Sequence, residues 1–360
     1  MIDFHLDEDQ QLIEETVVSF ARDRVRPAAH EADETETIPT DLVEEAWGLG
    51  LAQATVPESC GGFGQPGSAV TGAVIAEKLA EGDLAIALHV LSPRLVIDPV
   101  VLLGNEEQQK EILPAYCGDS FAAGSAAVME PRWDANIDHM RCSAVLDGDE
   151  YVINGEKCQV PLANSAPWII VYASDGETVA ALAVRQGTPG MEVGEREKNM
   201  GVKALETHAV KFNDCRVPAS ARLGTDASPM LRRARVAQSA MAVGVGKASL
   251  DYAIEYAKER EAFGVKIGQK QAIAFMLAEM AIEVDASRLL NWEAAWKIDQ
   301  NEDATREVAM ARRYAADAVM MVTDNGIQVL GGHGFIREHP VELWARNGRG
   351  FAVFEGLASV

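Results

Sequence analysis

Ser143-Ala-Val-Leu-Asp-Gly148-Asp-Glu-Tyr-Val-Ile-Asn-Gly155-Glu-Lys157 sets β-prone residues between an Asp-Gly and an Asn-Gly, dipeptides that take positive φ easily. The pattern predicts an antiparallel hairpin. Short β-prone runs at 168–173, 178–184 and 208–212, separated by turn residues, extend it into a small barrel or sandwich over 121–225. A linker, Gly224-Thr-Asp-Ala-Ser-Pro229, closes that unit.

Both flanks read as helix. Residues 7–25 repeat Leu12, Ile13, Val17, Val18, Phe20, Ala21 and Val25 at helical spacing behind an acidic first turn, which the helix dipole favours. Helical patterns follow at 40–47, 68–90 and 105–115, interrupted by a loop rich in Gly and Pro at 56–67. Beyond the β unit, three long helices are predicted at 231–262, 269–296 and 305–330. The second carries two apolar rows, Ala272/Phe275/Met276/Met280 and Ile273/Leu277/Ala281/Val284, so more than one of its faces needs covering. The predicted fold is therefore α+β. It has an N-terminal helical domain at 1–120, a small antiparallel β-domain at 121–225 and a long-helix four-helix bundle at 226–360. Helices apolar on several faces also predict an oligomer.

Composition narrows the partners. Fifty-five acidic against 32 basic residues give a formal charge of −23, which repels nucleic acid and anionic membrane surfaces, so neither is an expected partner. The five cysteines are scattered, without a CxxC or a Cys/His cluster. Asp251, Glu255 and Glu259 share a helical face, but with no His at ligand spacing they read as a solvated face, and no metal site is predicted. Ser68 and Ser125 lack a nucleophile elbow. The acidic start and the lack of any 18-residue apolar run predict a cytoplasmic protein.

Two runs carry candidate chemistry: Arg260-Glu-Ala-Phe263-Gly264, and Gln328-Val-Leu-Gly331-Gly332-His333-Gly334-Phe335, each placed on or after a long helix. Arg presents a planar fork of donors suited to phosphate, and paired glycines let backbone N–H groups approach an anion. Together they predict a pyrophosphate clamp; separately they read as a surface Arg and a helix cap.

With these runs set in the order helical domain, β-domain, bundle, the chain resembles the acyl-CoA dehydrogenase family over nearly its whole length. Pro57-Glu-Ser-Cys-Gly-Gly62, Gly104-Asn-Glu-Glu-Gln108, Glu130-Pro131, Asn154-Gly-Glu-Lys157 and Phe335-Ile-Arg-Glu-His-Pro-Val-Glu342 carry the match. The resemblance implies FAD, a fatty or steroid-like acyl-CoA thioester, α,β-dehydrogenation and electron delivery to an electron-transfer flavoprotein. It places the catalytic base at Glu355, within Phe354-Glu-Gly-Leu357. The other family position for a base falls at Ala234, which supplies none.

The departures from the family are lopsided. Positions that face the flavin ring from the same subunit are altered to Met129, Asp134-Ala-Asn136, Gln159-Val-Pro161 and Leu357, which strips hydroxyls, an aromatic ring and a backbone donor from the expected wall. The sequence ends at Val360, short of the glutamine-bearing turn usual in the family. Trp133 either fills the ring's space or packs in an ordinary loop. Positions that reach a neighbour's FAD are kept: Arg260, Phe263, Gln271, Gln328, Gly331 and Gly332. Random drift has no reason to sort losses this way. The expectation is a hetero-oligomer, α2β2, in which this chain lends its clamp to a second acyl-CoA dehydrogenase subunit that holds the flavin. In that reading, which resembles paired bacterial subunits acting on steroid side chains, Glu355 is a relic. Two readings stand beside it: a homotetramer holding FAD through altered contacts and acting on acyl-CoA or an acyl carrier protein, and a non-catalytic scaffold.

Overall fold

The computed structural model describes residues 4–360. Asp7 accepts from the Gln10 N–H, and Gln10 returns a bond to the Asp7 N–H, so α1 (Glu8–Phe20) opens with a reciprocal cap. The helix does not stop at residue 25. A π-turn at Ala21–Val25 widens the spiral just ahead of Pro27, and α2 (Arg26–Thr35) continues beyond it. α3 (Thr40–Gly48) follows. The predicted single helix at 68–90 is two, α4 (Ala69–Gly82) and α5 (Leu84–Val90), because extended Asp83 ends the first and caps the second through the Ile86 N–H. The sequence reading missed α6 (Arg94–Leu103), which contains Pro99. A capping box at Asn105 and Gln108 starts α7 (Glu106–Ile112).

The strands are β1 (Ser125–Ala127), β2 (Ser143–Asp147), β3 (Glu150–Pro161), β4 (Trp168–Ser174), β5 (Val179–Arg185), β6 (Met191–Arg196), β7 (Thr207–Pro218) and β8 (Arg222–Leu223). They form one sheet in the order β6-β7-β3-β2-β4-β5-β8, with β1 alongside β4. The predicted hairpin is β2–β3, paired from Asp147 and Glu150 to Ser143 and Asn154. The expectation of a purely antiparallel sheet needs correction, since β1 and β2 both meet β4 in parallel. Side-chain alternation marks which face a strand buries, not the direction of its neighbour.

The three long helices are α8 (Ser228–Glu259), α9 (Gln271–Asp299) and α10 (Thr305–Leu330), joined by short α11 (Val341–Arg349). α4 packs along α8 so closely that a Cβ on Gly244 would lie 2.1 Å from the Glu77 carbonyl oxygen. One apolar core unites these helices, another fills the sheet, and a third joins α6 and the ends of α3 and α7 to β4 and β5. Among the described residues no single helix is long and apolar enough to cross a membrane; the bent pair α5–α6 comes nearest.

Candidate functional site

The two predicted runs meet at one end of the bundle. Arg260 lies just past α8, its N–H donating to the Tyr256 carbonyl, and is not on the helix as the sequence periodicity indicated. Residues 261–266 fold back as a two-stranded ribbon, β9 (Glu261–Ala262) with β10 (Val265–Lys266). Its turn holds Phe263 at φ 55, a conformation unusual for an aromatic residue, and leaves the ring 95% exposed. α10 ends at Leu330, and Gly331 leaves it at φ 59, ψ −129, a region that glycine alone enters cheaply. Open space surrounds the Cα of both Gly331 and Gly332.

Arg260, Gly331 and Gly332 line one cavity of about 530 Å³, together with Tyr256 and His333. The Arg260 guanidinium has neither a carboxylate nor a hydrogen-bond partner among the described residues. In a chain with so large an acid excess, an unpaired guanidinium beside an open glycine turn is a site suited to an anion. Phe263, Gln271 and Gln328 do not line this cavity; all three are exposed, and Lys270 Nζ stands 5.9 Å above the Phe263 ring.

A second cavity, of about 400 Å³, lies between the sheet and the bundle and is lined by Met129, Glu130, Asp134, Ala135, Asn136, Arg235 and Glu355. Gly356, at φ 71, brings the last segment against Val128 so closely that a Cβ would lie 2.3 Å from it, and this contact fixes Glu355 at the wall. Arg235 Nε stands 3.3 Å from one Glu355 oxygen, and Arg312 Nε 3.7 Å from the other. Burial makes the Arg312 guanidinium less basic than usual, with Glu355 working in the opposite direction. The carboxylate is thus engaged by two cations. Neither arginine stood out in the sequence, where they fall among other charged residues of long helices.

Glu130 is structural. Burial opposes its charge, but the N–H groups of Arg141 and Cys142, the buried Lys157 ammonium and the Arg132 guanidinium outweigh that and hold its carboxyl below the usual range. Lys157 also donates to the Val128 carbonyl at 2.9 Å, so this cluster pins the start of the loop at 129–142 to β3. Gln159 sits at a bulge in β3 with φ 52, where its N–H is taken by the Glu197 carboxylate and its Oε1 is buried without a partner. Pro161 has no N–H, and its carbonyl accepts from Ser125 at 2.6 Å. Trp133 is 97% exposed, so it does not fill the cavity.

Profiles of the acyl-CoA dehydrogenase N-terminal, middle and C-terminal domains match residues 7–119, 125–215 and 225–360. The chain is 33% identical to the probable acyl-CoA dehydrogenase YngJ of Bacillus subtilis, over 100% of this chain and 97% of that one. The structure is similar to butyryl-CoA dehydrogenase from Megasphaera elsdenii, with a TM-score of 0.87, 28% identity and coverage of 99% and 96% of the two chains. It is also similar to the FAD complex of PigA, with a TM-score of 0.87, 26% identity and coverage of 98% and 95%.

Proposed function

The chain belongs to the acyl-CoA dehydrogenase family, oxidoreductases acting on CH–CH groups, and from that premise we propose that it is one subunit of a hetero-oligomeric, FAD-dependent acyl-CoA dehydrogenase. It lends the nucleotide clamp to flavin held by a partner subunit. The observation that carries this reading is the contrast between the two ends of the FAD contact set. At the nucleotide end the residues fit: an unpaired Arg260 and the open Gly331–Gly332 turn share one cavity. At the ring end they do not. An isoalloxazine has carbonyl and imine acceptors that need donors, whereas Gln159 has committed its backbone N–H to Glu197 and Pro161 has no N–H, so two backbone donors are missing there. Each flavin acceptor left without a donor there costs about 1–3 kcal/mol.

In the assembly, flavin held by the partner would supply the acceptor for the acyl-CoA β-hydride and the partner subunit the base for the α-proton, with an electron-transfer flavoprotein as the electron acceptor. This chain's own residues bind and orient. Arg260, Gly331 and Gly332 hold the diphosphate, while exposed Phe263, Gln271 and Gln328 complete the contact from the same end of the bundle. Exposed Phe275 comes one turn after Gln271 on α9, and Ile282 and Leu289 follow it at seven-residue intervals, a face suited to a second subunit.

The test is to purify the chain alone and after co-expression with a second acyl-CoA dehydrogenase subunit, and to count FAD per particle. The reading expects no stoichiometric flavin on the chain alone and FAD equal to half the subunits in the mixed particle. A particle built only of this chain with every subunit carrying FAD would overturn it.

A further inference from the structure

Tyr252 and Tyr256 lie one turn apart on a single face at the end of α8, and Arg260 follows four residues later, just past the helix. Each has a counterpart on the segment after α10. Tyr252 Oη lies 2.8 Å from His339 Nδ1, Tyr256 Oη lies 3.1 Å from His333 Nδ1, and Arg260 shares its cavity with Gly331 and Gly332. The two imidazoles meet edge to face at 5.6 Å. A phenol is a better donor than acceptor and an imidazole nitrogen the reverse, so the Tyr256 hydroxyl donates to Nδ1 and places the ring proton of a neutral His333 on Nε2. That Nε2–H has no acceptor among the described residues, and its ring lines the Arg260 cavity.

We propose that His333 is a further diphosphate-binding residue, donating from Nε2 alongside the Arg260 guanidinium, and that Tyr256 acts as a positioning residue by fixing its tautomer. This rests on the clamp reading above, which assigns the cavity to the nucleotide half of FAD. Gly332 and His333 are adjacent, so the anion that reaches the glycine backbone lies within reach of the imidazole and the guanidinium together. A neutral donor suits the place. It adds a directed bond without the desolvation cost of a second cation.

The experiment titrates the purified full chain with ADP by calorimetry and records the melting temperature of each ligand-free variant. Arg260→Ala should abolish binding, and His333→Asn should weaken it about tenfold, the worth of one hydrogen bond to a charged group. His333→Gln, which keeps a reaching N–H donor, should recover part of the loss. Tyr256→Phe should weaken binding in the native background but not on top of His333→Asn, a non-additivity that a merely structural role would not produce. Equal ADP affinity for His333→Asn and the native chain, with Arg260→Ala still defective, would overturn this inference and leave the clamp standing. Absence of ADP binding, or binding indifferent to Arg260, would overturn both.

Discussion

At the scale of single residues, charge placement separates what is held from what is available. Glu355 is the base that the resemblance leads one to expect, yet Arg235 and Arg312 engage both its oxygens, whereas Arg260 has no partner among the described residues. Glu355→Gln should therefore leave turnover of a partner-loaded assembly within about twofold, whereas loss of a working general base costs ~10²-fold or more in kcat. A kcat that collapses in that variant would make Glu355 the base. Asp83 supplies a pH-dependent case. Burial pushes its carboxyl up to about 6 despite bonds from the Ile86 and Ala85 N–H groups. A raised folded-state value means that its contribution to stability is full below an unfolded value near 4 and is lost as pH rises through about 6. Asn caps a helix equally well and carries no charge, so Asp83→Asn should be more stable than the native chain by ~1–3 kcal/mol at pH 7.5, with the margin shrinking below pH ~5. Denaturant titrations at pH 7.5 and 4.5 decide it; an equal margin at both would refute the assignment.

At the scale of elements, the tightest constraint is the α4–α8 contact. Gly244→Ala must push the two helices apart, because its methyl would meet backbone rather than a side chain that can turn away, and it should cost about 1–3 kcal/mol. Gly332→Ala, with open space at its Cα, should leave the unfolding midpoint unchanged. Thermal denaturation of the pair tests both, and similar losses would mean that the packing at Gly244 is looser than it looks. The same close packing explains how much of the fold was legible. The β2–β3 hairpin could be read because Asp147-Gly148 fixes a turn by local backbone chemistry alone. The break at Asp83 was not, since one Asp in an Ala-rich run costs little helix propensity and ends a helix only where the chain must turn. Nor was α6, whose Pro93 and Pro99 read as breakers although Pro93 only precedes its first turn. Of the expected clamp residues, Arg260, Gly331 and Gly332 share one cavity, whereas Phe263, Gln271 and Gln328 lie outside it. That Arg260 leaves α8 was hidden because helical spacing runs unbroken through Tyr252, Tyr256 and Arg260, and the left-handed turn at Phe263 uses a residue that rarely adopts it. Arg235, Arg312 and His333 went unremarked, since their meaning depends on a fold that brings residues near 235, 312 and 355 into one wall.

In the whole molecule, α9 presents a face that no other element of the chain covers. Phe275, Ile282 and Leu289 are 59%, 64% and 47% exposed, and Met310 on α10 is 43% exposed beside a cavity of about 670 Å³ lined by Leu290, Ala309, Tyr314 and Met321. A row of large apolar side chains at two-turn spacing is more than scattered surface hydrophobics, and on helices of this length it fits a subunit interface. Gln271 opens the same row, so a partner seated on it would bring its own flavin to this chain's clamp. Net charge does not choose the partner, because at 0.1 M salt exposed charges more than ~10 Å apart are largely screened, even in a chain at −23. Ile282→Glu adds a buried like charge to the centre of the proposed interface while leaving the protomer's own core intact. It should split the mixed particle in light scattering, release FAD from the partner, and move the isolated chain's melting temperature by no more than the ~0.5 kcal/mol usual for a surface change. If the variant assembles and keeps its flavin, the α9 face is not where the subunits meet, and the clamp must reach its nucleotide by another route.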